Sequence, residues 1–580
     1  MTYLPRLSTL LCCFCLLGSS LTYSQSQNVL ASPLIDFDSL INPQEGLGDM
    51  VVSTDRLASE VGLRMLKAGG NAVDAAVATG FALAVTYPRA GNLGGGGFML
   101  ISEAESGDAH FIDFRETAPA AATRDMFLKP DGTVDKMRAY FSHQSAGVPG
   151  TVAGLLHALE HYGSLPLETV IQPAIDLARD GFAMTYTLNR ELRQRSSLLL
   201  KNPESRRVYF AGGDQPLAPG SRFTQPDLAT TLERIRDRGH EGFYQGETAA
   251  LIAQDMVANG GLITEADLAQ YQVIERAPLR GEFRGYHILT APPPSSGGTL
   301  LIQMLNVLEP LPLNSMGHNT ANYLHHLIET MKLAYADRSQ YITDPDRAPL
   351  PIARLTSKAY ADEQRGRIKP TLATPSAKVM PGDMRDTESP DTTHYSVADS
   401  AGNVVSTTYT LNFSFGSHIT VPGTGILLNN EMDDFSVNPG IANAFGLVQG
   451  EANGIEPGRR PLSSMTPTIV FKDGKAWLAT GSPGGSKIIT TVLQTLLNAM
   501  VFDMNVAEAT AGERIHHQWY PDIVQAEEGI SPDTVEKLQA MGHTVKLSRS
   551  HIGRTNSIQL DGPWRFGYAD PRRTGGHVAR

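Results

Sequence analysis

Cysteine is nearly absent from this chain. Its 580 residues hold three, Cys12, Cys13 and Cys15, all within the first 26 positions. Once that leader is removed, the protein can form no disulfide, use no thiol nucleophile and bind no metal through sulfur. A chain of this size can rely on its hydrophobic core instead, even when exported. Positive charge is also short. Lys and Arg number 48 against 60 Asp and Glu, a formal net charge of −12, which argues against a nucleic-acid partner. Long apolar runs are missing except at residues 10–17, too short to cross a bilayer as a helix. No internal repeat is present. Hydrophobic content of 41% and charged content of 19% are those of a soluble globular protein.

The leader has one cation, Arg6, then the apolar run, then small polar residues from Gly18 onward. This is the layout of a secretory signal peptide covering residues 1–26, with cleavage expected near Ser24 or Ser26. The mature protein is expected to be free of the membrane, in the periplasm or outside the cell.

Residues 27–50 read as an extended lead-in. Two helices follow, one over residues 55–67 that stops at Gly69 and Gly70, the other starting at the N-cap Asn71 and ending before Pro88. Alanine on nearly all sides of the second predicts burial all round. "GNLGGGGFMLIS" is a glycine loop entering a strand, and "AHFIDFRETAP" is a strand leading to Arg115. Residues 145–345 are mostly helical by periodicity. Residues 369–391 hold four prolines and few apolar residues, which predicts a mobile surface segment. Strand patterning begins abruptly at Thr392, and helices follow near residues 487–501 and 506–512. Strands packed under helices make a layered α/β arrangement.

One hairpin stands out. Ser400 to Gly402 suits a three-residue turn with glycine in the left-handed position. Counting outward from it sets Thr392 opposite Thr410, give or take a bulge, and alternation puts Thr408 and Thr410 on one face. Spacing alone leaves two readings open: an ordinary cross-strand threonine pair, or a nucleophile with a hydroxyl beside it.

"FIDFRETAP", "TTHYSV", "TYTLN", "NNEMDDFS", "PLSSMTPT" and "GSPGGS" occur in this order. Together they resemble the γ-glutamyltranspeptidases, members of the N-terminal-nucleophile hydrolases, and the resemblance covers nearly the whole mature chain. It implies an αββα four-layer sandwich formed jointly by two subunits of one precursor. The cut would fall between Asp391 and Thr392, leaving a large subunit of residues 27–391 and a small subunit of residues 392–580 as a heterodimer. Thr392 would be the nucleophile, activated by its own freed α-amine, and Thr410 would orient it. The backbone N–H groups of Gly484 and Gly485 would form the oxyanion hole. Arg115 would hold the substrate's α-carboxylate with help from Ser463 and Ser464. Asp434 would hold the α-ammonium, with Glu431 and Asn412 beside it. The implied substrates are glutathione and related γ-glutamyl compounds, with water, amino acids or peptides as acceptors. No cofactor or metal is expected.

The remaining features weigh less. The glycine loop lacks the Gly-Lys-Ser/Thr ending of a phosphate loop, so a structural role near the site is expected. His516 and His517 are neighbours on a strand and make a poor chelate, so packing is expected. His325 and His326 read as ordinary helix residues, and Arg514 and Arg572 as salt-bridge formers. Residues 438–454 resemble a lid in bacterial relatives, with Phe445 where those often carry tyrosine, which suggests a looser lid. Two other classes compete. Glutaryl-type cephalosporin acylases share the fold, but their substrates lack the ammonium that Glu431, Asp433 and Asp434 would serve. A non-catalytic exported binding protein would have no use for Thr392, Thr410, Arg115 and the glycine pair.

Overall fold

Alternation along the hairpin Thr392–Ala398 and Val404–Thr410 sets the layering of the protein. Tyr395, Val397, Val405 and Tyr409 point one way, into a core shared with the helices Arg56–Lys67 and Ala72–Thr86. The alternate residues point the other way. Ser396 Oγ donates to the carbonyl of Asn556, and Ser406 Oγ to that of Thr480, both on a second sheet. The structure is a computed structural model that describes residues 39, 41–379, 392–438, 447, 450–548, 550–572 and 576–580. The leader, Asp391 and Phe445 lie outside the described residues, as does most of the lid segment.

Both large sheets have seven strands, and every pairing within them is antiparallel. One runs in the order His577–Ala579, Met50–Ser53, Thr392–Ala398, Val404–Thr410, Gly96–Ser102, Ala109–Phe114, Ile274–Arg276. The other runs Gln44–Leu47, Trp564–Ala569, Asn556–Asp561, Lys475–Thr480, Thr468–Lys472, Tyr286–Thr290, Leu279–Phe283. The helices Gly297–Leu308, Ala321–Tyr341 and Lys487–Val501 share a core with the outer side of this second sheet. The result is the helix–sheet–sheet–helix sandwich. Each sheet takes strands from both sides of position 392.

The hairpin register is the one counted from its turn. Thr392 pairs with Thr410 and Ala398 with Val404, with no bulge between. Asp399 N–H donates to the carbonyl of Asn403 at 3.1 Å, and Gly402 closes the turn at φ 95°. The helix Ala72–Thr86 is buried along its whole length and starts with a capping box between Asn71 and Asp74.

The extended lead-in includes the edge strand Gln44–Leu47, and the middle is mostly helical as expected but also contains the strands Ile274–Arg276, Leu279–Phe283 and Tyr286–Thr290, which join both sheets. One expectation needs correction: the segment before the hairpin is not loose where it is described. Residues 369–379 are docked: Ser376 Oγ donates to the carbonyl of Trp519, Ser376 N–H to Asp522, and Lys332 Nζ to the carbonyl of Thr374. It stays on the surface, but these bonds tie its backbone down, and Ser376 and Val379 are buried. Among the described residues no helix is long and apolar enough to cross a membrane.

Candidate active site

The open end of the hairpin brings Thr392 and Thr410 to one face, where their hydroxyl oxygens lie 3.3 Å apart. Thr410 Oγ1 also accepts from Asn412 N–H at 2.8 Å. The glycine loop lies directly behind. Asn92 Nδ2 donates to the carbonyl of Thr410 at 2.9 Å, and a Cβ on Gly95 would sit 1.9 Å from that same oxygen. Glycine there lets the neighbouring strand approach the hairpin, a structural role rather than a phosphate site.

Arg115 follows the strand Ala109–Phe114 and is fully buried. Its guanidinium is filled on every side. Nε donates to the carbonyl of Pro461 at 3.3 Å, and Nη2 to that of Leu462 at 3.3 Å and to Asp434. Nη1 donates to Glu431 and, at 3.4 Å, to Glu116. Three carboxylates around one guanidinium cannot all be charged at low cost. Burial pushes Glu431 well above its ordinary value and Glu116 up to about 7, although Arg115 pulls both the other way. Arg115 itself is shifted further towards its charged form, because the carboxylates outweigh the penalty of burial.

Glu431 and Asp434 come from one short turn, Glu431–Asp434. Asn412 adopts φ 73°, and its Nδ2 donates to the carbonyl of Asn430 at 2.9 Å. Ser463 Oγ accepts from Met465 N–H at 3.1 Å, and Ser464 Oγ accepts from Arg338 Nη2 at 3.2 Å. Thr392, Thr410, Asn412, Arg115, Glu431, Asp434, Ser463, Ser464 and Gly485 all line one cavity. Gly484 is one residue behind that wall. The two glycines have φ 143° and φ 53°, conformations that disfavour any side chain. Their carbonyls accept from Lys487 and Ile488, so the pair opens the helix Lys487–Val501. Among the described residues neither glycine N–H has an acceptor. Gly485 lines the cavity, so the start of this helix sets the positive end of its dipole beside it.

Sequence reasoning missed two groups. Arg338 lines the same cavity from the helix Ala321–Tyr341. It falls on the buried stripe of Met331, Ala334 and Tyr335, and a charge on an apolar stripe is a signal that could have found it. The second group lies behind the glycine pair. Ser486 Oγ donates to Gln518 Oε1 at 2.6 Å, His516 Nε2 reaches that oxygen at 2.8 Å, and Thr490 Oγ1 meets His516 Nδ1 at 2.8 Å. His516 and His517 are thus buried packing residues, as expected, but His516 braces the loop that carries Gly485. His325 is buried against His543, and Arg514 and Arg572 pair with Asp570 and Glu527.

The chain is similar to known proteins along most of its length. The family model described as gamma-glutamyltranspeptidase matches residues 58–579. The glutathione hydrolase proenzyme of Escherichia coli (strain K12) is 50% identical over 537 residues, which cover 92% of each chain. Among solved structures, the cephalosporin acylase from Bacillus halodurans superposes with a TM-score of 0.82 at 27% identity, covering 94% of this chain and 98% of that one. The Helicobacter pylori gamma-glutamyltranspeptidase superposes with a TM-score of 0.57 at 45% identity, covering 59% of this chain and 97% of that one.

Proposed function

The chain belongs to the γ-glutamyltranspeptidase family, and from that membership we propose that it is a glutathione hydrolase and γ-glutamyltransferase made as a self-cleaving precursor. The observation that carries the reading is the Thr392–Thr410 hydroxyl pair facing a cavity walled by the guanidiniums of Arg115 and Arg338 and the carboxylates of Glu431 and Asp434. In the precursor, the Thr392 hydroxyl attacks the Asp391 carbonyl and the peptide bond becomes an ester. Water hydrolyses the ester and frees the Thr392 α-amine. Residues 27–391 and 392–580 then form a heterodimer. Strands from both sides of the cut share both sheets, which supports the two chains staying together.

The freed amine has a reference pKa of roughly 8. It takes the proton of its own hydroxyl, whose oxygen attacks the γ-amide carbon of the substrate. The oxyanion is received by the N–H groups of Gly484 and Gly485. The amide bond breaks, the leaving amine takes the proton, and a γ-glutamyl ester remains on Thr392. Water, or the amine of an amino acid or peptide, attacks that ester and releases product.

Recognition of the substrate is an exchange of ion pairs. Arg115 and Asp434 pair with each other in this structure. The substrate's carboxylate takes the place of Asp434 on Arg115, aided by Ser463 and Ser464. Its ammonium takes the place of Arg115 on Asp434, beside Glu431 and Asn412. An acylase substrate without the ammonium would leave these carboxylates unanswered, which favours the amino-acid substrate. The leader supports export to the periplasm or the medium.

The test is direct. Purified protein should run as two bands on a denaturing gel, the smaller beginning at Thr392, and should hydrolyse L-γ-glutamyl-p-nitroanilide. Thr392→Ala should stay one inactive chain. An uncut, inactive wild-type protein refutes the proposal.

A further inference from the structure

Arg338 is a buried cation with no anion of its own. Its exposure is 1%, and it lines the same cavity as Thr392. Nε donates to Ser296 Oγ at 2.8 Å and Nη2 to Ser464 Oγ at 3.2 Å. Nη1 has no acceptor among the described residues, and no described carboxylate lies within salt-bridge distance. Burial lowers the pKa of Arg338 to about 10, with Tyr335 and then Asp434 pulling the other way. Arg115 is the opposite case. Its Nε, Nη1 and Nη2 all donate to carbonyls or carboxylates. Desolvating a guanidinium without pairing it is costly, and a binding site is where such a cost is recovered, because the ligand brings the missing charge.

We propose that Arg338 is a second cation of the α-carboxylate subsite, binding the substrate's carboxylate through Nη1 while it orients Ser464. The Ser464 oxygen already accepts from Arg338, so its own proton is left to donate to the same carboxylate. A carboxylate placed there lies between two guanidiniums, and Arg115 need not release all its partners to hold it. This inference rests on the γ-glutamyl reading of the site and adds a specificity residue to it.

Three chromogenic donors test it: L-γ-glutamyl-p-nitroanilide, 4-aminobutanoyl-p-nitroanilide, which lacks the α-carboxylate, and glutaryl-p-nitroanilide, which keeps one carboxylate and lacks the ammonium. Arg338→Gln should raise KM for the γ-glutamyl donor about 10- to 150-fold, the worth of a charge-assisted hydrogen bond, with little change in kcat. It should leave kcat/KM for the 4-aminobutanoyl donor unchanged. Arg338→Lys should recover part of the loss. Should Arg338→Gln fail to mature, the lysine variant retains the buried charge and gives the same comparison with a smaller change. An equal loss on the γ-glutamyl and 4-aminobutanoyl donors makes Arg338 a structural residue and overturns the inference. Wild-type enzyme that cleaves none of the three refutes the proposed function itself, and the inference with it.

Discussion

Asp434→Asn keeps the shape of the side chain and removes its charge. Asp434 pairs with Arg115, which keeps Glu431 and Glu116 as further acidic neighbours. The variant therefore leaves Arg115 its other two carboxylates, and folding and maturation should survive. The bound substrate fares differently. Its ammonium loses a carboxylate partner inside a buried cavity, and truncating one member of such a pair costs about 2–5 kcal/mol. At about 1.4 kcal/mol per factor of ten, kcat/KM for L-γ-glutamyl-p-nitroanilide should fall roughly 30-fold to 4,000-fold. Most of the fall should be in KM, because the ammonium is held equally before and during reaction. Glutaryl-p-nitroanilide carries no ammonium, so its kcat/KM should hold or rise. The assay is release of p-nitroaniline by absorbance with both donors, after a denaturing gel has shown equal maturation. Equal losses on the two donors would refute the reasoning and reduce Asp434 to a prop for Arg115.

Thr410→Ala removes the hydroxyl beside Thr392 and leaves Asn412 N–H without its acceptor. An unpaired buried donor costs about 1–3 kcal/mol, so maturation and turnover should both slow about 5- to 150-fold on gel and anilide assay; wild-type rates would leave the hydroxyl without a role. Gln518→Leu removes the oxygen that accepts from Ser486 Oγ and meets His516 Nε2 behind the glycine pair; kcat should fall about 10- to 100-fold, within the range of losing an oxyanion donor, while KM stays put, and an unchanged kcat in a folded variant would rule the brace out. Burial raises Glu116 to about 7 against the pull of Arg115 and Arg460. Folded protein then keeps a proton that the unfolded chain releases near its ordinary value of about 4.3. That contribution is complete below the unfolded value and is lost as pH rises to about 7. Denaturant midpoints should therefore decline less steeply from about pH 5 to about pH 8 in Glu116→Gln than in wild type, and identical slopes would contradict the shift.

What could be read from sequence divides by how local the cause is. The Thr392–Thr410 pairing was legible because a turn of fixed length sets register and strands have period two, so both residues follow from Gly402. Burial of Ala72–Thr86 was legible because alanine on all sides leaves no polar face. Ile274–Arg276 and Tyr286–Thr290 pair with strands far away in the chain, which no local signal names, whereas the hairpin of Leu279–Phe283 and Tyr286–Thr290 about Arg284 and Gly285 is local and was passed over among helices. Residues 369–379 misled for the reverse reason: composition reports how little apolar surface a segment can bury, not whether Lys332 and Asp522 await its backbone. In the site, spacing yielded only the threonine pair, and the rest of the residue set came from family resemblance. That resemblance transfers motifs, so it passed over Arg338, a single residue in a helix with no motif around it. It also passed over Gln518, whose neighbour His516 is expected from sequence only to pack. Both act on residues that the motifs did supply, Ser464 and Ser486. A residue that positions another is constrained by geometry rather than by a pattern in the chain, so the layer behind a recognised motif is where the structure adds most to the reading.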